Sequence, residues 1–171
     1  AFSGSGLTSL ALPMGITDIT EHLCSECHEL TSVQISDGVT SIGDGAFYNC
    51  KNLSDVTIPD NVKAIGEFAF GACSSLTDIE LPDGLESLSS YAFYDSGLTT
   101  AVIPDGFTQT EEWIFGFCYD LTTVVIPASM TNLGGYSFYG CRKLEKVIYC
   151  GTPEQWGNVD LGAENYFLHD A

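Results

Sequence analysis

Residues 53–73 read LSDVTIPDNVKAIGEFAFGAC, and most of that pattern returns along the chain. Leu7, Leu30, Leu53, Leu76, Leu98, Leu121 and Leu144 stand 23 residues apart, with one step of 22 between Leu76 and Leu98. A fixed period of this length marks a solenoid, in which each unit buries its apolar face only against its neighbours. Counting each unit from its leucine, position 4 holds Leu10, Val33, Val56, Ile79, Ala101, Val124 and Val147. Position 6 holds Leu12, Ile35, Ile58, Leu81, Ile103, Ile126 and Tyr149. Alternation around a more polar position 5 is the period of a half-buried strand, so each unit should contribute one short strand.

Proline follows at position 7 as Pro13, Pro59, Pro82, Pro104 and Pro127, with Ser36 in the remaining unit. It cannot extend a ladder, and the Asp-Gly or Asp-Asn after it suits a turn. On the return path, position 10 (Ile16, Val39, Val62, Leu85, Phe107, Met130) and position 13 (Ile19, Ile42, Ile65, Leu88, Thr110, Leu133) point further groups inward. Ala46, Phe47 and Cys50, then Ala69, Phe70 and Cys73, close the coil at spacings that suggest a helical or 3₁₀ turn. Stacked coils would pair their strands in parallel at about 4.8 Å and join each apolar column into a ridge.

The unit LxxVxIPDGVxxIGxxAFxxC resembles the BspA-type leucine-rich repeat of surface proteins from bacteria and some protists. The tail from Tyr149 to Val159, YCGTPEQWGNV, is similar to the segment that often closes such arrays. The resemblance implies an α/β fold: a right-handed leucine-rich-repeat solenoid with short helical or 3₁₀ turns on the return side. It also implies a place outside the cytoplasm, commonly in adhesion or binding, and carries no catalytic residue to transfer. The expected organisation is a single domain over residues 1–171, with the end of a truncated repeat at 1–6, six repeats at 7–143 and a closing segment at 144–171. In that register the opening AFSGSGL places Ala1 and Phe2 at positions 17 and 18, so the chain would begin inside an array, with a signal peptide and more repeats expected upstream. A further strand would be expected beyond Ala171.

Composition narrows the partners. Five Lys and Arg stand against 23 Asp and Glu, a formal net charge of −18 over 171 residues, which repels phosphate backbones and anionic lipid. No apolar run approaches the roughly 20 residues that cross a bilayer, so neither nucleic acid nor membrane insertion by this segment is expected.

The clearest chemical motif is HLCSECH, His22 to His28, in which Cys24-x-x-Cys27-His28 spells a haem attachment site. Cys27 nevertheless falls in the column Cys27, Cys50, Cys73, Cys118 and Cys141, and Cys24 replaces the usual Phe, so the repeat itself generates the motif. Zinc on His22, Cys24, Cys27 and His28 is chemically reasonable, but seven residues hardly wrap a tetrahedron. Neither cofactor nor metal is expected. The odd count of seven cysteines and their one-per-coil recurrence read as buried free thiols, with Cys24–Cys27 and Cys141–Cys150 as the pairs to check. Asp37, Asp60, Asp83 and Asp105 follow the strands, either as solvated turn formers or as a Ca²⁺-bridged ladder. No paired carboxylates in an acid/base setting, no Ser-His-Asp set and no phosphate-cradling loop appears, so an enzyme is not expected.

Two surface stripes are candidates for a partner. Positions 3 and 5 should face outward from the strands, and they grade from Asp55, Asp78 and Glu80 to Val102, Val125 and Ile148. Such an apolar row either marks a partner site or stabilises cross-strand packing. On the return side Phe68, Tyr91, Trp113 and Tyr136 recur at position 16, flanked by Tyr48, Tyr94 and Tyr139, as a sugar- or protein-binding ladder or as a second packing layer. TEEWIF, Thr110 to Phe115, replaces the IGxxAF pattern and marks a strained or specialised coil. The expected function is an extracellular or cell-surface module that binds a protein or carbohydrate, including one of a host. The alternative is a spacer that displays another domain.

Overall fold

The computed structural model describes residues 2–165 and 168; the places assigned above to Ala1, and to the end of the closing segment at 166, 167 and 169–171, lie outside them. The chain winds as a parallel-strand solenoid of about six coils with little helix. Front strands come from positions 3–5 of the units, reaching position 6 in the last two: β1 (Ser9–Ala11), β3 (Ser32–Gln34), β5 (Asp55–Thr57), β8 (Thr100–Val102), β9 (Thr123–Ile126) and β10 (Lys146–Tyr149). The return side adds something the pattern did not contain. A second strand forms at positions 12 and 13, as β2 (Asp18–Ile19), β4 (Ser41–Ile42), β6 (Ala64–Ile65) and β7 (Ser87–Leu88), giving a four-stranded sheet in the order β2-β4-β6-β7.

Pairing is parallel throughout and keeps the columns in line. Leu10, Val33 and Val56 are direct partners, as are Ala101, Val124 and Val147 in front and Ile19, Ile42, Ile65 and Leu88 behind. Leu30, Leu53, Leu76, Leu98 and Leu121 are fully buried beside them. Through the middle runs a stack of phenylalanines, Phe47, Phe70, Phe93, Phe115 and Phe138, with neighbouring ring centroids 5.4 to 5.7 Å apart.

Of the helical or 3₁₀ turn expected between the second strand and the next leucine, the hydrogen bonds follow the 3₁₀ spacing, without continuous helix. The segment is a chain of i→i+3 turns, as in Ala46 N–H to Gly43 O, Tyr48 N–H to Gly45 O and Cys50 N–H to Phe47 O. Left-handed backbone at positions 16 and 20 prevents helix from propagating. Position 16 has φ of 49° at His22, 58° at Gly45, 53° at Phe68, 61° at Tyr91, 62° at Trp113 and 60° at Tyr136. Position 20 repeats this at Glu26, Asn49, Ala72, Asp95, Phe117 and Gly140. The only α-helix among the described residues is α1 (Pro153–Trp156), opened by a capping box between Thr152 and Gln155.

Cysteine fits this scaffold for a stated reason. Each thiol of the column donates to the position-18 carbonyl one coil back: Cys27 to Phe2, Cys50 to Cys24, Cys73 to Phe47, Cys118 to Phe93 and Cys141 to Phe115, at 3.0 to 3.2 Å. All seven cysteines are free, six of them buried and Cys150 exposed. A thiol reagent should therefore titrate one cysteine in the native protein and seven after denaturation. Two or more fast native thiols would contradict the packing.

Polar groups close the core where the pattern breaks. Thr110 sits in an apolar column, yet its Oγ1 accepts from Gly134 N–H at 2.9 Å, so TEEWIF costs no unsatisfied hydroxyl. Near the C-terminal end, buried Asn165 accepts from Phe138 N–H and donates to Gly134 O and Leu161 O. Asn165→Ala would remove the partners of the Phe138 N–H and the Leu161 carbonyl, while Gly134 O keeps its bond from Ser137 Oγ. A loss of about 2 kcal/mol in urea denaturation is the expected result, and less than about 0.5 would contradict this role.

Candidate interaction surface

The front sheet is not continuous. It divides into β1-β3-β5 and β8-β9-β10, and the intervening Asp78–Glu80 segment forms no strand. This unit is the short one, ending at Gly97, where any Cβ would collide with Ser74 O. Its strand positions also carry Asp78 and Glu80 beside Asp55 of the preceding coil, and like charges on adjacent strands oppose pairing. The opening leaves a cavity of about 810 Å³, bordered by Asp60, Asp78, Glu80, Asp83 and Val102.

Beyond the break, the sheet turns apolar. Val102, Val125 and Ile148 are direct register partners and form one row across β8, β9 and β10. Val102 is 51% exposed, while Val125 and Ile148 are half-buried. Of the front stripe, Asp78, Glu80 and Val102 meet at this opening, while Asp55, Val125 and Ile148 lie outside its lining.

The return-side stripe behaves differently. Phe68, Tyr91, Trp113 and Tyr136 lie face to face, at centroid distances of 4.5, 6.0 and 4.5 Å and interplanar angles of 11° or less. Tyr94 and Tyr139 meet this stack edge-on. Gly71 and Gly116 occupy the flanking tyrosine column because the Phe68 and Trp113 rings lie over them, where a Cβ would come within 3.0 Å. Burial pushes the Tyr94 phenol up, and the neighbouring Asp95 adds to it. The rings spend their faces on one another and offer outward mainly their edges.

The cysteine-histidine motif does not converge. Cys24 and Cys27 are fully buried, whereas His22 and His28 are exposed, with His28 Nδ1 3.0 Å from Asn49 O. Among the described residues no three His, Cys, Asp or Glu side chains are placed to hold a metal ion.

Parallel rungs, a one-per-coil leucine and a stacked phenylalanine column define a leucine-rich-repeat solenoid. The chain belongs to the BspA type leucine rich repeat family, whose pattern matches residues 1–115 and 40–159 in six copies. Proteins of this family are often found at surfaces, and their solenoids are typically non-enzymatic. Among solved structures, a leucine-rich repeat protein from Bacteroides ovatus is 31% identical over 81% of this chain and 39% of its own, with a TM-score of 0.76. A leucine rich repeat protein of T. pallidum is 27% identical over 84% of this chain and 68% of its own, with a TM-score of 0.78. One from Eubacterium ventriosum is 27% identical over 84% of this chain and 33% of its own, with a TM-score of 0.53. Comparison with curated proteins returns no match. The chain thus spans well under half the length of the Bacteroides protein.

Proposed function

We propose that this chain is a binding module of a surface or secreted protein that holds a protein or carbohydrate partner on its front face. The supporting observation is the row of Val102, Val125 and Ile148, adjacent on one sheet, with Val102 bordering the acidic opening at Asp78 and Glu80. A partly exposed apolar ridge with a charged border has the composition of a recognition patch. Phe68, Tyr91, Trp113 and Tyr136 would add ring edges from the other flank. The spacer reading draws on that same ladder, whose faces are already occupied.

An array of extracellular-matrix proteins and glycans decides between these readings. The expected result is a ligand whose affinity falls about tenfold or more in a Val102→Glu, Val125→Glu double variant, the loss of a central apolar anchor. An array without a ligand, or a ligand indifferent to both substitutions, would favour the spacer.

A further inference from the structure

The four-stranded sheet on the return side stops at β7, although the coils go on stacking. Up to that strand the ladder is regular: Glu86 and Ser87 N–H donate to Lys63 O, and Ser89 N–H donates to Ile65 O. One coil further it resumes, with Thr131 and Asn132 N–H on Thr108 O and Thr110 N–H on Asn132 O. Between the two, no backbone hydrogen bond among the described residues joins 86–89 to 108–111. In the register of the other coils, Thr108 and Gln109 N–H would donate to Glu86 O and Glu111 N–H to Leu88 O, and none of these bonds is made. The coils rejoin just beyond, where Tyr91 N–H donates to Glu112 O and Phe93 N–H to Ile114 O.

The parted walls border a cavity of about 940 Å³, open to solvent. Glu86 of one wall and Asp105 and Glu111 of the other line it, and all three are exposed. Lys63 is the one cation of its lining and lies 4.0 Å from Glu86, so the other two carboxylates face the cleft without an ion pair. The cleft therefore combines a sheet edge with unused donors and acceptors and an excess of negative charge.

We infer that this cleft takes up an extended, basic segment of a partner polypeptide. An extended chain offers N–H and C=O groups to both of its sides, so it can bond to β7 and to residues 108–111 at once. A helix has already spent those groups on itself. Charge then selects the side chains, because Lys or Arg would meet Glu86, Asp105 and Glu111, whereas an acidic segment would be repelled. The cleft lies on the return side and the Val102 ridge on the front, so either assignment can fail without the other.

The test is an amide chemical-shift titration of the intact chain with acetyl-Lys-Thr-Lys-Thr-Lys-amide, with its fully N-methylated analogue, and with a peptide carrying Glu for each Lys. Shifts should centre on residues 86–89 and 108–111, and solvent exchange of the Gln109 amide should slow at saturation. N-methylation keeps the charge and removes the backbone donors, so it should weaken binding about fivefold or more. The Glu peptide should not bind. A Glu86→Gln, Glu111→Gln variant, altered only at exposed side chains, should bind the Lys peptide several-fold more weakly. Equal affinity for the methylated and unmethylated peptides would reduce the effect to charge attraction and overturn the assignment. Shifts centred elsewhere, binding of the Glu peptide, or undiminished binding by the double variant would overturn it as well.

Discussion

Phe93→Ala should cost about 4 kcal/mol, enough to remove much of the stability of a domain of this size. Phe93 is fully buried and stacks on Phe70 at 5.6 Å and on Phe115 at 5.7 Å. Truncation leaves a ring-sized void and breaks two aromatic contacts, each worth about 0.5–1.5 kcal/mol beyond the area lost. Position along the stack matters as well. A solenoid has only neighbour-to-neighbour interfaces, so damage in a central coil weakens two of them. Phe47 has one phenylalanine neighbour in the stack, Phe70, and Phe47→Ala should cost visibly less. Met14, 93% exposed, supplies the control, since Met14→Ala should stay within about 0.5 kcal/mol. Urea denaturation followed by circular dichroism measures all three. A Phe93→Ala loss below about 1 kcal/mol would mean that the phenylalanine ridge does not hold the coils together.

What the sequence revealed follows from which features recur. Columns such as Leu30 to Leu121 and Phe47 to Phe138 are legible because buried positions tolerate few residue types and the coil repeats the choice. The second strand was hidden, being only two residues long with Asp18, Ser41, Ala64 and Ser87 at its first position, a set with no β preference. Left-handed backbone at position 16 was hidden too, since Phe68, Tyr91 and Trp113 are residues that usually avoid it. Gly45 was the one sign of that conformation in the column.

The split front sheet had two signals, the 22-residue step to Leu98 and the pair Asp78 and Glu80 at strand positions. Neither alone indicates lost pairing. For the candidate surface, alternation was enough to place Val102, Val125 and Ile148 outward. It could not show that the aromatic ladder would stack on itself, because that depends on ring torsions and on the room left at Gly71 and Gly116.

The largest environmental effect should come from the thiols. Burial pushes Cys24 and Cys50 up to about 12 and Cys118 up to about 11, and it raises Cys73 and Cys141 as well. In the unfolded chain the same groups titrate near 8.5. Below that pH both states hold the same thiol protons, and the stabilisation is fully present. Above it the unfolded chain releases protons that the folded chain retains, so unfolding becomes easier with each step in pH until the folded thiols themselves ionise. Each such thiol contributes a slope of about 1.4 kcal/mol per pH unit, and the five together set an upper limit of about 7. A domain stable by about 5–15 kcal/mol should then unfold within one to three units above the thiol range. Urea midpoints at about pH 7.5, 9 and 10 would measure the slope, and Cys73→Ala should reduce it by about one thiol's share. That comparison separates the thiols from general repulsion in a chain of net charge −18, because removing a neutral, buried thiol leaves the acidic surface unchanged. A slope that Cys73→Ala does not alter would mean that the alkaline loss arises at the surface and not in the cysteine column.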